Sequence, residues 1–536
     1  FLFDSIENVR TSLDYYNLVN TASFMSTSNN TFTRIGKNTV VLYCRSIIAM
    51  FISLYTSRVL LQVIGIDDFG IYNVVGGMVM LFSFLNVALM VSTQRFMNME
   101  MGCGKTERVN LVFCTSVNIQ LLMAVLITVG GEVIGTYLLY NYLSIPANRI
   151  NAAFWVLQFS IVTLLFSIIS VPYNALIMAK EEFRSFAYID ILGYLLKLFA
   201  VIFISYYGGD RLIVYALLIM LAQVVIRFIY SFYCNYRFPE SHYKWKIDSV
   251  LTKKMLSFSS WTTLSGISSL AYQQGIGVLY NAFYGVAINA AVGVAQQINA
   301  AVNTLVSNFT TAFYPQMTKG YAAKDWDKVK AMHFTGPKLA FCIMSVMVVP
   351  LMLNLNYILK LWLDEVPLHT TMFIRIILCS SLITILATTS NTLVRATGKI
   401  RTYEITLNTI IWLFFLIIYI CFKLDMNIYV PYSIMVVNSL ITSLYIANYS
   451  CRCIGVKGIE YYRSVHLPMI ISLLMGFTLA FYLLPESESL LSLSLNVVIT
   501  ISIVIFCNYT LGLNGTERKF VIQVMRRMIN KLKNEA

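Results

Sequence analysis

The chain has 536 residues, 58% of them hydrophobic and only 12% charged, with a mean hydropathy of +0.71. A soluble domain carries about 45–50% apolar and about 25% charged residues, so a soluble globular protein is excluded. The net charge of +14 is carried by short loops between apolar runs. No segment interleaves basic and aromatic residues on a soluble domain, so a nucleic-acid partner is not expected.

Residues 1–37 read as a polar lead. They lack a charged segment followed by an apolar one, so they are not a secretory signal. Met25 is a candidate natural start, which would leave MSTSNNTFTRIGKN as a short lead. Apolar runs of about 20 residues then recur to residue 512, the signature of a polytopic membrane protein. The pattern predicts an all-α protein of about fourteen transmembrane helices. They fall near 38–63, 71–94, 110–140, 151–178, 185–207, 211–235, 255–281 and 286–312, then near 339–361, 370–394, 402–422, 428–450, 463–484 and 490–512. The expected organisation is a six-helix bundle over 38–236, a linker over 237–254 and a second six-helix bundle over 255–452. Two additional helices over 453–513 and a basic amphipathic helix over 514–536 complete it. In that last segment Val521, Val524, Met525, Met528 and Leu532 recur at helical spacing, while Arg526, Arg527, Lys531 and Lys533 fall largely elsewhere. This pattern suits a helix lying on anionic membrane lipids.

The loops alternate in charge. About thirty Lys and Arg fall on one side of the predicted membrane, against Arg149, Arg211, Lys360 and Lys423 on the other. Such a bias places both termini in the cytoplasm. The loops 236–254 and 313–338 are the longest, and both read as cytoplasmic.

Two halves of the chain match in order. AKEEFRSF at 179–186 faces ATGKIRTY at 396–403, ERVN at 107–110 faces DKVK at 327–330, and FGIYNVVGG at 69–77 faces YGVAINAAVG at 284–293. The offsets are all about 216–220 residues. Six spans per repeat gives two bundles of the same orientation, related by a pseudo-two-fold axis along the membrane normal. Such repeats place a substrate site where they meet.

Five cations interrupt the predicted spans: Arg45, Arg58, Lys197, Arg227 and Arg375. A guanidinium at mid-membrane costs about 2.5–3.5 kcal/mol on insertion scales. Arg58 and Arg375 lie within roughly two turns of a membrane face and can snorkel. Arg45, Lys197 and Arg227 are deeper, and all three belong to the first half. Asp190 lies seven residues before Lys197 on the same helical face, so a structural ion pair is one reading. Arg45 and Arg227 have no carboxylate nearby in sequence. The other reading is a water-filled site for an anion, phosphate above all, since the planar guanidinium fork matches its oxygens.

The second half is lined differently. Asn289, Gln296, Asn299 and Asn303 share a helical face in one span, and Gln273 and Gln274 lie in the span before it. Neutral amides suit sugar hydroxyls, and they equally suit interhelical hydrogen bonds. Glu132, Asp190 and Glu404 are the carboxylates within spans and the candidates for ion coupling. GCGKT at 102–106 imitates the end of a phosphate-binding loop, but Met99 stands where the first glycine belongs. The ten cysteines and four histidines show neither zinc spacing nor a disulfide framework, so no metal or other cofactor is expected.

The run LYTSRVLLQVIGIDDFGIYNVVGG followed by STQRFMNMEMG, with VPYNALIMAKEEF and RATGKIRTYE after spans four and ten, resembles bacterial polysaccharide flippases. These belong to the multidrug/oligosaccharidyl-lipid/polysaccharide (MOP) exporter superfamily. The resemblance covers residues 30–512. It implies a non-enzymatic transporter in the bacterial inner membrane that moves an undecaprenyl-diphosphate-linked oligosaccharide from the cytoplasmic to the periplasmic leaflet. It makes Arg45, Arg58, Lys197 and Arg227 candidates for the diphosphate, and Gln273, Gln274, Asn289, Gln296, Asn299 and Asn303 candidates for the glycan. Polysaccharide polymerase and chain-length machinery are the implied protein partners. The last two spans resemble the extra helix pair that forms a lipid-tail groove in peptidoglycan-precursor flippases. Two alternatives remain. A drug antiporter of the same superfamily typically carries an acidic residue in its first span, where this chain has two arginines. A membrane polymerase or ligase usually displays a large periplasmic loop, which is missing here.

Overall fold

The computed structural model describes residues 34–519 and 522, apart from positions 66, 78, 80, 81, 83, 84, 142–144, 247, 286, 287, 305, 364, 365, 486 and 516. The polar lead before residue 34 and the expected amphipathic helix from residue 520 onward lie outside the described residues. Among the described residues all regular structure is helical. Eleven segments are long and apolar enough to cross a membrane, from Arg34–Gly65 to Leu490–Gly512. Three more helical stretches correspond to predicted spans that are richer in polar residues. They are Ser83–Gly102 with the chain leading into it, and the two arms of a 74-residue helix, Ser249–Ala322. Together they make up the fourteen expected helices.

The chain divides into two compact units, one of residues 38–267 and one built on residues 268–536. The first contains most of α1 (Leu2–Met80), then α2 (Ser83–Gly102), α3 (Thr106–Asn141), α4 (Ile150–Ala179), α5 (Phe183–Ser205), α6 (Arg211–Arg237) and the beginning of α7 (Ser249–Ala322). Local chemistry sets the helix ends. Asp210 caps α6 by accepting from the amides of Leu212 and Ile213. Arg149 gathers Asp68 and Asp210, with its Nη1 2.7 Å from Asp210, and so ties α1 beyond Gly65 to the starts of α4 and α6. At the opposite ends of α4 and α6 Lys180 pairs with Glu240 at 2.6 Å. Asn110 donates to the carbonyls of Glu240 and His242, holding the segment between α6 and α7 against α3. Helices α3 and α4 pack closely because Gly131 and Gly135 carry no side chain. A Cβ at Gly135 would lie 2.9 Å from Leu157, the close approach that small residues permit in membranes.

The second unit continues from α7 through α8 (Trp326–Leu353), the short α9 (Leu355–Trp362), α10 (Thr370–Thr397), α11 (Arg401–Lys423) and α12 (Val430–Cys453). Then come α13 (Gly458–Tyr461), α14 (Leu467–Leu483) and α15 (Leu490–Cys507). An aromatic cluster of Tyr280, Phe373, Phe422 and Tyr432 forms part of its core, with ring centroids 4.9–5.5 Å apart. The extra helices are fastened to α8 by polar contacts. Asn508 donates to Ser345 and accepts from Ser472, each at 2.9 Å. Lys338, 1% exposed, pairs with Glu517 at 2.9 Å.

Two predicted loops are corrected. The basic segment 313–338 is helical almost throughout, because α7 runs to Ala322 and α8 begins at Trp326. Asp325 caps that start by accepting from the Lys328 amide. The ninth span therefore ends at Leu353, and α9 is a separate short helix. Arg95, read as a loop cation, is buried in α2, with its guanidinium 4.9 Å from the Phe96 ring and 5.0 Å from that of Phe258.

The repeat detected in the sequence reappears in the backbone. Gly65 has φ 80° and ψ 171°, and Gly285 has φ 82° and ψ 179°. Each breaks a helical run at the corresponding point of its half, about 220 residues apart. The left-handed turns at Gly104 and Lys324 correspond in the same way, as do those at Glu181 and Gly398. Gly104 explains GCGKT, which makes the turn between α2 and α3. The φ/ψ region of Gly65 and Gly285 is essentially closed to residues with a Cβ, at a cost of about 1–3 kcal/mol. Gly285→Ala should therefore lower thermal stability in detergent by that amount. Gly293→Ala, inside the helix with open space around it and no positive φ, should leave stability unchanged or raise it by up to about 1 kcal/mol. Equal effects would show that the helix break is not held by the glycine.

Candidate functional site

Arg45 and Asp190 come to comparable depth because the first span and α5, an even number of spans apart, run in the same direction. Arg45 lies eleven residues into the first span and Asp190 seven residues into α5, at roughly 16 Å and 10 Å along their axes. The guanidinium of Arg45 reaches Asp190, with Nη1 3.0 Å from Oδ2. Its Nη2 donates to Ser46 at 3.1 Å, and its carbon lies 5.5 Å from the Phe186 ring centroid. Both partners are largely shielded, with side-chain exposures of 19% and 29%. Sequence distance hid this pair, because the partners are 145 residues apart. Depth would have exposed it, since Asp190 is the carboxylate of a neighbouring span at the level of Arg45.

The expected Asp190–Lys197 pairing is thus replaced by an Arg45–Asp190 bond with Lys197 in attendance. Lys197 lies within Coulombic range of Asp190, and its ammonium is 5.5 Å from the Tyr194 ring. One acceptor therefore faces two cations. Arg227 of α6 is engaged separately, with its guanidinium 4.2 Å above the Tyr173 ring and a buried Nε without a hydrogen-bond partner among the described residues. Arg58 is exposed on α1 and stands apart. Arg45, Lys197 and Arg227 against Asp190 leave two net positive charges within the spans, set among aromatic rings. The aromatic partners Phe186, Tyr194 and Tyr173 carried no sequence signal of their own in so apolar a chain.

The amides of the second unit separate into two groups. Asn299 accepts from Ser381 at 2.6 Å and from Asn303 at 2.8 Å, and Gln296 approaches the Tyr432 hydroxyl at 3.5 Å. These three join α7 to α10 and α12, so interhelical bonding accounts for them. Asn289 lies beside Gly277. Gln273 and Gln274 are exposed and keep their polar groups available.

The three carboxylates also differ. Asp190 is held by Arg45. Glu404, only 1% exposed, lies in the first turn of α11 and faces Arg395 at 3.8 Å, near a membrane end rather than at mid-depth. Glu132 accepts from the neutral amide of Gln158 at 2.8 Å.

Removing one partner of a shielded ion pair strands the other. Asp190→Asn and Arg45→Gln should each destabilise the detergent-solubilised protein. The double variant should recover part of the loss, with a coupling of about 0.5–3 kcal/mol. Strictly additive losses in a thermal double-mutant cycle would show that the pair contributes no interaction energy.

A profile of the family described as polysaccharide biosynthesis protein matches residues 35–321, more than half of the chain. Curated proteins give no sequence match. Among solved structures, a mutant MATE transporter is similar with a TM-score of 0.69 at 14% identity, covering 78% of this chain and 96% of that one. A MOP superfamily transporter from Pyrococcus furiosus, described as having a binding pocket of reverse polarity, gives 0.67 at 14% identity with 78% and 96% covered. The Vibrio cholerae MATE transporter VcmN, in mutant form, gives 0.65 at 15% identity with 82% and 99% covered. Identities this low speak for the fold, while the family profile speaks for descent. The chain is a multi-pass membrane protein that belongs to the polysaccharide biosynthesis protein family and has the fold of MOP-superfamily transporters.

Proposed function

We propose that this transporter is a lipid-linked oligosaccharide flippase, moving undecaprenyl-diphosphate-linked glycan units from the cytoplasmic to the periplasmic leaflet of a bacterial inner membrane by alternating access. The observation that carries the reading is the surplus of deep cations in the first unit: Arg45 and Lys197 share the one carboxylate of Asp190, and Arg227 rests separately on the Tyr173 ring. A cationic drug would meet repulsion there. A diphosphate would supply the missing negative charge, each close charge pair contributing about 4 kcal/mol at an effective dielectric of 20. Family membership agrees with a polysaccharide precursor as cargo. The pocket of reverse polarity in the Pyrococcus furiosus transporter, taken there to suggest a different function, is a precedent within the fold for changing the sign of a site. Exposed Gln273 and Gln274 are the amides best placed to meet sugar hydroxyls. Polysaccharide polymerase and chain-length machinery are the proposed protein partners, and both termini would lie in the cytoplasm.

Affinity alone does not drive net transfer, so an ion gradient or membrane potential must. Of the three carboxylates, Glu132 is the one whose described hydrogen-bond partner is neutral, which makes it the preferred coupling candidate. In liposomes containing a fluorescent polyprenyl-diphosphate oligosaccharide, the wild type should transfer the lipid between leaflets. Arg45→Ala with Arg227→Ala should lower the rate at least about tenfold while the protein stays folded. Glu132→Gln should remove the response to an imposed proton gradient. Wild-type transfer left intact in the double variant would move the diphosphate elsewhere. Failure of the wild type in both orientations, with organic-cation transport in its place, would replace the proposal with the antiporter reading.

A further inference from the structure

Between α6 and α7, residues 242–246 (His-Tyr-Lys-Trp-Lys) form no regular structure and lie along α3. Asn110 donates to the His242 carbonyl at 2.8 Å, Cys114 accepts from the Lys244 amide at 3.3 Å, and Asn118 donates to the Lys246 carbonyl at 3.0 Å. The Tyr243 hydroxyl donates to Asn118 at 2.6 Å. Spacing of four on α3 keeps these anchors on one helix face, so the backbone of the strip is fastened turn by turn. Its side chains stand free of the protein. Trp245 is 73% exposed and Tyr243 40%, and both lysines are exposed. The Trp245 ring is set edge-on to Tyr243, with centroids 6.5 Å apart. The neighbouring carboxylates are engaged elsewhere, Glu240 by Lys180 and Asp248 by the Leu251 amide. Lys244 and Lys246 pair with no carboxylate among the described residues.

The length of α3 fixes the depth of the strip. Beyond Asn118 the same side of the helix becomes openly apolar, with Leu121, Leu122, Val125, Val129, Val133 and Tyr140 all exposed. From Leu121 to Tyr140 is about 28 Å along the axis, close to the thickness of a bilayer's hydrocarbon core. Lys246 is held at Asn118, about 4.5 Å short of that band, and His242 at Asn110, about 17 Å short of it. The strip therefore starts in water and ends at the level of the lipid head groups, on the side of the unit that meets lipid. An indole favours that boundary, and ammonium groups on long apolar stems reach the phosphates there. We infer that residues 243–246 clasp anionic phospholipid head groups, with Lys244 and Lys246 on phosphate and Trp245 at the level of the glycerol esters. Charge complementarity selects an anionic head. An acidic protein or a nucleic acid would match the lysines but leave the indole in water. The inference does not depend on what the transporter carries.

The test is fluorescence quenching of the full-length protein in phosphatidylcholine nanodiscs, read on the emission that Trp245→Phe removes. A minor fraction of the lipid is replaced by phosphatidylglycerol or by phosphatidylcholine, each brominated on the acyl chain near the ester. Brominated phosphatidylglycerol should quench this emission at least about twofold more than brominated phosphatidylcholine at the same fraction, by an enrichment that falls with added salt. Lys244→Gln with Lys246→Gln should make the two equal, and Lys423→Gln, at the end of α11, should leave the difference intact. All the replaced side chains are exposed, so the variants should keep the fold. Equal quenching by the two lipids in the wild type, or an undiminished difference in the double lysine variant, would overturn the assignment. Emission open to acrylamide in the water and indifferent to both brominated lipids would also overturn it, by giving the strip to solvent or to a soluble partner.

Discussion

A guanidinium eleven residues into a membrane helix must be compensated, and Arg45 is compensated by a carboxylate on a helix 145 residues away. The Arg45–Asp190 bond joins α1 to α5 within their membrane-spanning stretches. It sets the charge of the region around it, because Asp190 also lies in the field of Lys197. One carboxylate cannot balance two cations, and Arg227 adds a third with only an aromatic face beneath it. An ion pair that merely stabilised the bundle would need one charge of each sign. Under the proposed function, that surplus is the charge a diphosphate would neutralise.

The same economy of polar groups governs the rest of the molecule. At several helix ends charges are paired or a cap is filled, as at Arg149 with Asp68 and Asp210, Lys180 with Glu240, and Asp325 at the start of α8. Where α7 carries amides at membrane depth, Asn299 and Asn303 bond to Ser381. Against this background the surplus cations of the first unit stand out, because they lie in the spans and have one carboxylate between Arg45 and Lys197. The extra helices are bound to α8 through Asn508, Ser345 and the buried Lys338–Glu517 pair. They therefore form part of the second unit's framework.

Much of the fold was legible because hydropathy and loop charge are one-dimensional signals. The span count followed from apolar run length. The repeat was visible in 69–77 against 284–293, and its cause is the helix break at Gly65 and Gly285, which needs a glycine in each half. Helix ends were less legible. Cations such as Arg95 and Lys338 look like loop residues in sequence but lie inside helices, one stacked on rings and the other paired with Glu517. The deep cations were found from sequence, whereas their pairing was not. The sequence offers Asp190–Lys197 as one reading because both lie on α5, and proximity along a helix is a poor guide where neighbouring helices bring stronger partners. Asn299 and Asn303 show the same limit, since an amide that bonds a neighbouring helix and one that awaits a sugar are identical in sequence.

The claim that unites these observations is that the first unit holds a site for a diphosphate. Equilibrium binding of farnesyl diphosphate, farnesyl monophosphate and farnesol to the purified protein tests it most directly. The account predicts affinity falling in that order, decreasing with ionic strength, and losing about tenfold or more for the diphosphate when Arg45 becomes Gln. Equal affinities for the three ligands, or a diphosphate affinity indifferent to Arg45, would contradict it.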